Sequence, residues 1–111
     1  MPPWKIKTRF ISNEFESHFF KPRGIPMSLL EIYVLANEEL EALRLMDTEH
    51  MNQEDAAKLM GISRRTFQRV LESAREKVTR ALINGHAIEI KGGNFALSAS
   101  PKNSGKKRKK V

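Results

Sequence analysis

The sequence predicts a mostly α-helical domain in which three helices include a helix-turn-helix unit and a short C-terminal β-hairpin follows. Apolar residues recur at three- and four-residue spacing in three segments between residues 37 and 84. A residue that favours helix N-caps opens each segment, and a glycine ends each of the last two. The 111 residues suffice for one small domain with a modest core.

Residues 1–36 are predicted to form an N-terminal arm. Two prolines and a glycine lie within FFKPRGIP (19–26), which favours an extended segment with turns. EIYVL (31–35) is rich in β-branched and aromatic residues, so it is expected to form a short strand.

The first two helices have recognisable ends. The first is expected to use Asn37 as its N-cap and to end near Asp47, with glutamates near the positive end of its dipole. The second is expected to use Asn52 as its N-cap and to end at Gly61. The predicted inner stripes are Leu40, Leu43 and Met46 in the first helix and Ala56, Leu59 and Met60 in the second.

The third helix is predicted to be the longest, running from its N-cap Ser63 to Asn84-Gly85 and completing a helix-turn-helix domain over residues 37–85. Its inner stripe is predicted to be Phe67, Val70, Leu71, Ala74, Val78, Ala81 and Leu82. Residues 86–98 are predicted to form a β-hairpin, because AIEI and NFAL flank KGG. EIYVL is also expected to pair with AIEI. Residues 99–111 are predicted to be a disordered basic tail.

The formal net charge of +7 is unevenly distributed. Residues 1–30 carry five bases and two acids, and residues 31–62 carry two bases and eight acids. Residues 63–101 carry seven bases and three acids, and residues 102–111 carry six bases and no acid. This asymmetry favours a polyanionic partner, although a solvated face plus a solubilising tail would give the same totals.

Several kinds of chemistry are disfavoured. The chain has no cysteine, and its three histidines lack metal-ligand spacing. No apolar run reaches membrane-spanning length and no signal peptide opens the chain, so a cytoplasmic location is expected. No carboxylate pair, Ser-His arrangement or phosphate-cradling glycine loop stands out, so neither an enzyme nor a cofactor is expected.

The stretch from Gln53 to Glu72 matches a helix-turn-helix template. The template needs a small residue where the helices cross and a glycine in the left-handed turn. Ala57 and Gly61 occupy these places, four positions apart. The apolar places that lock the helices together hold Ala56, Met60, Ile62, Phe67 and Val70.

The segment GISRRTFQRV (61–70) supplies the candidate DNA contacts at the start of the third helix. They are Ser63, Arg64, Arg65, Thr66, Gln68 and Arg69. With Phe67 inward, the arginines and Gln68 point outward, where such a helix enters a major groove. Arginine binds guanine O6 and N7, glutamine binds adenine N6 and N7, and the helix N-terminus with its hydroxyls suits a phosphate.

A plainer interpretation is that these arginines solvate an exposed helix face and pair with Glu72 and Glu76. Acids suit the start of a helix better than bases do, so arginines there indicate an external anion. Lys21 and Arg23 are further candidates, for backbone phosphates or the minor groove. The alternative for that segment is a loop whose aromatic and aliphatic side chains cover the core.

Four blocks of the sequence resemble UPF0251, the domain of unknown function 134 family of small predicted DNA-binding proteins. They are FKPRGIP (20–26), LEALRLMD (40–47), QEDAAKLMGISRRTFQRVLESAREKV (53–78) and GHAIEIKGGN (85–94). The helical part also resembles region four of sigma factors. The resemblance covers roughly residues 4–97 and implies a three-helix DNA-binding domain whose recognition helix carries the candidate residues from Arg64 to Arg69. The basic tail is not part of the family pattern.

Together these features predict a sequence-specific protein that binds double-stranded DNA and regulates transcription at the nucleoid. One short recognition helix buries little surface, so a homodimer is expected on half-sites about 34 Å apart or a multiple of that, joined through the third helix and the hairpin. Two alternatives stay open. One is an adaptor that binds RNA polymerase or other transcription proteins, and the other is an RNA-binding protein.

Overall fold

The computed structural model describes residues 8–12, 14 and 18–97. Within them the chain is mostly α-helical, with small strands. The elements in chain order are β1 (Arg9–Ile11), β2 (His18–Phe20), β3 (Ile32–Leu35), α1 (Asn37–Leu43), α2 (Gln53–Met60), α3 (Arg64–Asn84), β4 (Ala87–Ile90) and β5 (Phe95–Leu97). A 3-10 turn covers Met27–Leu29, and a π-helical turn covers Arg44–Thr48. The predicted disordered tail lies outside the described residues.

The start of α1 differs from the prediction. Ala36 is the N-cap and Asn37 is the first helical residue, so the expected Asn37 cap is wrong. The Asn37 side chain is buried and Nδ2 donates a hydrogen bond to Gly92 O at 2.9 Å, which removes it from the capping position. The Ala36 N–H is satisfied by Glu39 Oε1 at 2.9 Å. The helix continues into the π-helical turn, so its predicted end near Asp47 is confirmed.

The ends of α2 and α3 lie where the sequence places them. Asn52 caps α2 through its side chain, and Gly61 ends it in the left-handed conformation at φ 71°. Ser63 caps α3 by accepting a hydrogen bond from Thr66 N at 3.1 Å, and Gly85 ends that helix at φ 70°. These caps are local interactions between neighbours in the sequence, which is why the sequence reveals them.

Two residues of the predicted inner stripes are exposed. Leu59 is 58% exposed, and Ala57 is buried in the stripe of α2 instead. The small Ala56 and Ala57 side chains allow α2 to lie close to its neighbours, which leaves Leu59 on the outer side. Leu82 is 73% exposed because Ala81 takes the core-facing place in the last turn of α3, and Leu82 lines an open groove instead.

The buried side chains form two clusters that α3 connects. The first contains Ile11, Ala42, Leu45, Ala56, Ala57, Met60, Ile62, Phe67 and Leu71. The second contains Leu35, Ala74, Ala81, Ile88 and Ile90. The first half of α3 therefore packs on α1 and α2, and its second half packs on the sheet. This double attachment fixes the direction of α3 and decides which of its faces meets solvent.

The larger sheet has the strand order β2-β4-β3. β4 pairs in parallel with β3, from Ile32 opposite Ala87 to Leu35 opposite Ile90, which confirms the predicted pairing of EIYVL with AIEI. β2 pairs with the other edge of β4 in the antiparallel sense. The central strand of this sheet thus comes from the end of the described chain, between two strands from its start.

The predicted C-terminal hairpin is not confirmed, because β4 and β5 pair with different strands. β5 pairs in parallel with β1, in a two-stranded ribbon where Phe10 lies opposite Ala96. The KGG segment crosses the start of α1 instead of turning back on itself. Asn37 N donates to Gly92 O at 3.0 Å, and Asn94 N donates to Glu38 Oε2 at 3.2 Å. Hydrogen bonds to α1 therefore replace those that a hairpin would form.

Candidate nucleic-acid interface

The first turns of α3 present a polar, basic surface to solvent. Arg64, Arg65, Gln68 and Arg69 are all exposed, whereas Phe67 among them is fully buried. The burial of Phe67 fixes the rotation of the helix, and the helical period then turns its neighbours outward. The predicted orientation of the candidate residues is confirmed. We call the surface formed by Arg64, Arg65, Gln68 and Arg69 the basic face.

The arginines of the basic face do not pair with the acids of their own helix. No arginine side chain of this face forms an ion pair or hydrogen bond with another described residue. Glu76 pairs with Arg80 at 2.8 Å. Glu72 Oε2 accepts a long hydrogen bond of 3.4 Å from Gln68 Nε2. In the described part of the chain, the pairing that the plainer interpretation requires does not form.

Bases farther along α3 are in contrast engaged with the protein's own carboxylates. Arg75 Nη2 lies 2.6 Å from Asp47 Oδ1, and this hydrogen bond raises the pKa of Arg75. Lys77 Nζ lies 2.8 Å from Glu39 Oε1 and donates a second hydrogen bond to Val34 O. The unengaged positive charge of α3 is therefore concentrated at its N-terminal end, within the described residues.

Arg44 joins two carboxylates of its own part of the chain. Its guanidinium group lies 3.0 Å from Glu41 Oε1 and 3.2 Å from Glu49 Oε2. The hydrogen bond with Glu41 is the main cause of the raised pKa of Arg44. This base belongs to an internal network and is not part of the basic face.

Three glutamates of α1 have roles that sequence reasoning missed, because each fastens a different element to the helix. Glu38 accepts from Asn94 N just before β5, and Glu41 Oε2 accepts from Ser12 N after β1 at 3.1 Å. Glu39 accepts from Lys77 and from the hydroxyl of Ser73 on α3. These three of the eight acids in residues 31–62 are bound to other elements of the domain. They are therefore not available to neutralise the basic face.

The N-terminus of α3 adds hydrogen-bond donors beside the arginines. Ser63 Oγ accepts from Thr66 N and lies 3.0 Å from Thr66 Oγ1, so the two hydroxyls adjoin at the helix start. The Arg64 and Arg65 N–H groups precede the first intrahelical hydrogen bonds and point out of the helix end. Such an end attracts anions.

The structure does not bring Lys21 and Arg23 to the basic face. Lys21 lines the groove with Leu82 and Gly85 at the last turn of α3, and its Nζ donates to Pro22 O at 3.1 Å. Leu82 follows Arg69 by 13 residues and Arg64 by 18, so that turn lies about 20–27 Å along α3 from the basic face at a rise of 1.5 Å per residue. Both bases are exposed. The alternative that this segment covers the core is not seen either, since its hydrophobic side chains Phe19, Phe20 and Ile25 are exposed.

The β1–β5 ribbon lies beside the turn between α2 and α3. The ring of Phe10 covers Gly61, and a Cβ atom added there would lie 2.8 Å from Phe10 Cδ2. Gly61 is thus required both for the left-handed turn and for this close approach. The sequence signals only the first requirement.

Other functional groups are scarce in the described part of the chain. No set of three metal-ligating side chains comes together there. Among those same residues, no helix has the length and apolar character needed to cross a membrane.

These features define the chain as a small helical domain, with two flanking sheets and an exposed basic helix end. The family model described as "Protein of unknown function DUF134" matches residues 4–98. The chain belongs to this family, UPF0251, which confirms the resemblance that the sequence blocks indicated.

Several relatives carry the UPF0251 name. The protein from Thermoanaerobacter pseudethanolicus is 49% identical over 95 residues, covering 86% of this chain and 80% of the relative. The protein from Methanosarcina acetivorans is 60% identical over 82 residues, covering 74% and 73% of the two chains. The protein from Dehalococcoides mccartyi is 52% identical over 99 residues, covering 89% and 85%. No solved structure was found to match the chain.

Proposed function

We propose that this protein is a sequence-specific DNA-binding regulator of transcription, acting in the cytoplasm at the nucleoid. In this proposal α2, the Gly61 turn and α3 form a helix-turn-helix, and α3 is the recognition helix. The observation that carries it is the basic face, whose arginines are exposed and unengaged among the described residues while Phe67 anchors the opposite side of the helix. The major groove of duplex DNA is about 12 Å wide and admits an α-helix.

Each part of the surface then has a chemical role. Arg64, Arg65, Gln68 and Arg69 contact base edges, where bidentate hydrogen bonds distinguish one base from another. The Ser63 and Thr66 hydroxyls and the end of α3 receive a phosphate, which sets the register. Phosphate contacts supply most of the affinity and make it dependent on salt.

Lys21 and Arg23 take a different role from the basic face. Because they lie at the far end of α3, they contact the DNA backbone outside the segment that the first turns of α3 read. Their contribution is to affinity and not to sequence preference.

Replacing Arg64 or Arg65 singly with alanine is expected to weaken binding to a preferred duplex by about 1–3 kcal/mol for each base that the arginine no longer binds. The preferred duplex is selected from a random oligonucleotide pool, and binding is measured by fluorescence anisotropy at two salt concentrations. Each variant is also expected to lose preference at one position of the site.

The matched control is Arg80→Ala. It removes the same charge from the same helix, at a base that is engaged with Glu76. Equal losses in Arg65→Ala and Arg80→Ala would mean that only net charge matters. If neither Arg65→Ala nor Arg80→Ala changed the affinity for the duplex, the result would favour an adaptor. Binding to RNA polymerase would then be measured instead of binding to DNA. Preference for single-stranded RNA over the duplex would indicate RNA binding.

We propose further that the protein acts as a homodimer. Leu82 and Ile83 in the last turn of α3 are 73% and 80% exposed. Beside them lies a groove of about 210 Å³ that also contains Phe20 and His86. A second copy that packs its α3 end here would bury Leu82 and Ile83, leave the exposed Lys21 at the edge of the contact, and place two basic faces on one duplex. The sequence predicted a dimer joined through both α3 and a C-terminal hairpin. Because β4 and β5 do not pair with each other, the proposed contact uses α3.

Replacing both Leu82 and Ile83 with glutamate is expected to convert the dimer to a monomer, because a buried charge without a partner is costly. Sedimentation at several protein concentrations measures the mass. Leu59→Glu is the control, since Leu59 is an exposed leucine of α2 away from this surface. A wild-type chain that sediments as a monomer at all concentrations would contradict the homodimer.

A further inference from the structure

One carboxylate lies on the same side of α3 as the basic face. Glu72 is exposed and follows Arg65 by seven residues. Seven residues make nearly two turns at about 3.6 residues per turn, so the two side chains point in the same direction. Glu72 also follows Gln68 by four residues and Arg69 by three, the spacings at which side chains of one helix meet. Because a carboxylate repels phosphates, an acid on a surface that binds DNA needs a role that offsets this repulsion.

Glu72 forms no ion pair with any described residue, although two arginines lie within one turn of it. Arg75, three residues later, is bound to Asp47 instead. Arg69, three residues earlier, is one of the unengaged arginines of the basic face. The next acid of the helix, Glu76, differs from Glu72 because it pairs with a base one turn later at 2.8 Å. The Glu72 carboxylate is therefore available to a neutral polar side chain.

The side chain that meets this carboxylate is Gln68. Its Nε2 donates to Glu72 Oε2 at 3.4 Å, in the four-residue spacing at which a glutamine and an acid stabilise a helix. A carboxylate only accepts hydrogen bonds, so the Gln68 amide turns its NH2 group toward Glu72 and its carbonyl oxygen away. The hydrogen bond is long and exposed here. Between a protein and a base pair, where little water remains, it becomes stronger.

This orientation limits what the Gln68 amide can offer to a base. The NH2 group has two hydrogens, and Glu72 binds one of them, which leaves one donor and the carbonyl acceptor. Adenine presents one acceptor, N7, and one donor, the N6 amino group, in the major groove, so it matches. Guanine presents two acceptors, N7 and O6, and needs two donors. A glutamine that turns freely can give both hydrogens to guanine, whereas a glutamine held by Glu72 cannot.

We propose that Glu72 determines specificity by holding the Gln68 amide in the orientation that accepts adenine and rejects guanine. Glu72 is a positioning residue, because it acts through Gln68 and does not itself contact the base. This inference rests on the proposed function and deepens it by naming the base that one residue of the basic face reads. The negative charge of Glu72 weakens binding to every duplex, and the gain is discrimination.

The test first locates the base that Gln68 contacts. Duplexes that differ from the preferred duplex at one base pair are compared, and the position at which Gln68→Ala loses preference is the one that Gln68 reads. Dissociation constants with adenine and with guanine at this position are then measured for the wild type, Glu72→Ala, Gln68→Ala and the double variant. The matched control is Glu76→Ala, which makes the same chemical change one turn farther along α3, at an acid that is already paired.

The wild type is expected to bind the adenine duplex more tightly than the guanine duplex. Glu72→Ala should lower this ratio by about fivefold, the lower end of the discrimination that a bidentate base contact provides. In the Gln68→Ala background, Glu72→Ala should change the ratio no further. Glu72→Ala should also tighten binding to a random duplex, because a charge that repels phosphates is removed. Glu76→Ala should leave the ratio at its wild-type value, since its loss of charge affects both duplexes alike.

Four results would contradict these expectations. An adenine preference that survives Glu72→Ala but not Gln68→Ala would overturn the inference, and the proposed function would stand. Equal effects of Glu72→Ala with and without Gln68 would also overturn it, because Glu72 would then act on DNA directly or through Arg69. A wild type that prefers guanine at this position, or a Gln68→Ala variant that loses no preference, would overturn it as well. A wild-type chain that binds no duplex at low salt would overturn both proposals.

Discussion

Replacing Phe67 with alanine should lower the free energy of unfolding by about 3–5 kcal/mol, the cost of emptying a fully buried aromatic site. Phe67 has no exposed surface and is the largest fully buried side chain among the described residues. It lies in the first cluster with Ala56, Ala57 and Met60 of α2, where small neighbours leave little to refill the cavity. Because the same side chain sets the rotation of α3, its loss should also disorder the basic face.

Urea unfolding followed by far-ultraviolet circular dichroism measures this effect. The control is Gln68→Ala, at the next position on the exposed side of α3, which should change stability by no more than about 0.5 kcal/mol. If Phe67→Ala cost less than about 1 kcal/mol, α3 would not be held on α2 in the way described, and the basic face would lose its anchor.

The helix ends and the outward face of α3 could be predicted from the sequence because local interactions determine them. Asn52 and Ser63 bind N–H groups three residues ahead, and Gly61 and Gly85 adopt left-handed conformations that few other residues favour. The exposure of the arginines follows from the helical period once Phe67 is assigned to the core.

The strand pairing was less predictable because its partners are distant in the sequence. KGG has the composition of a hairpin turn, yet Gly93 serves a different purpose. It has φ 114° and lies against the Glu38 side chain at the start of α1, where a Cβ would overlap the carboxylate. A short β5 then finds β1, at the other end of the described chain. Neither contact leaves a pattern in the local sequence.

The α1 glutamates show why charge counts give an incomplete account of a surface. Acids near the start of a helix interact favourably with the helix dipole. That explanation is sufficient by itself, so the sequence gives no sign that these glutamates also bind other elements. The structure directs Glu39 and Glu41 inward, where they are buried. The acidic middle of the chain is thus partly internal, and Glu39 and Glu41 neutralise Lys77 and Arg44 and not the arginines of the basic face.

Replacing Glu39 with alanine should lower the free energy of unfolding by about 3 kcal/mol, through loss of charge-assisted hydrogen bonds at a buried site. The Glu39 side chain is only 9% exposed, and it accepts hydrogen bonds from Lys77, Ser73 and the Ala36 N–H. Without the carboxylate, the start of α1 loses its cap and α3 loses its polar attachment to α1.

The matched control is Glu76→Ala, which removes a glutamate from an ion pair of the same length on the surface of α3. The Arg80–Glu76 pair is 2.8 Å long with side chains 61% and 60% exposed, and pairs of this kind contribute only about 0.3–0.5 kcal/mol. Urea unfolding of the two variants compares the same chemical change at a buried and at an exposed position. Equal losses would show that Glu39 does not join α1 to α3, and that burial of its carboxylate adds nothing to the stability of the domain.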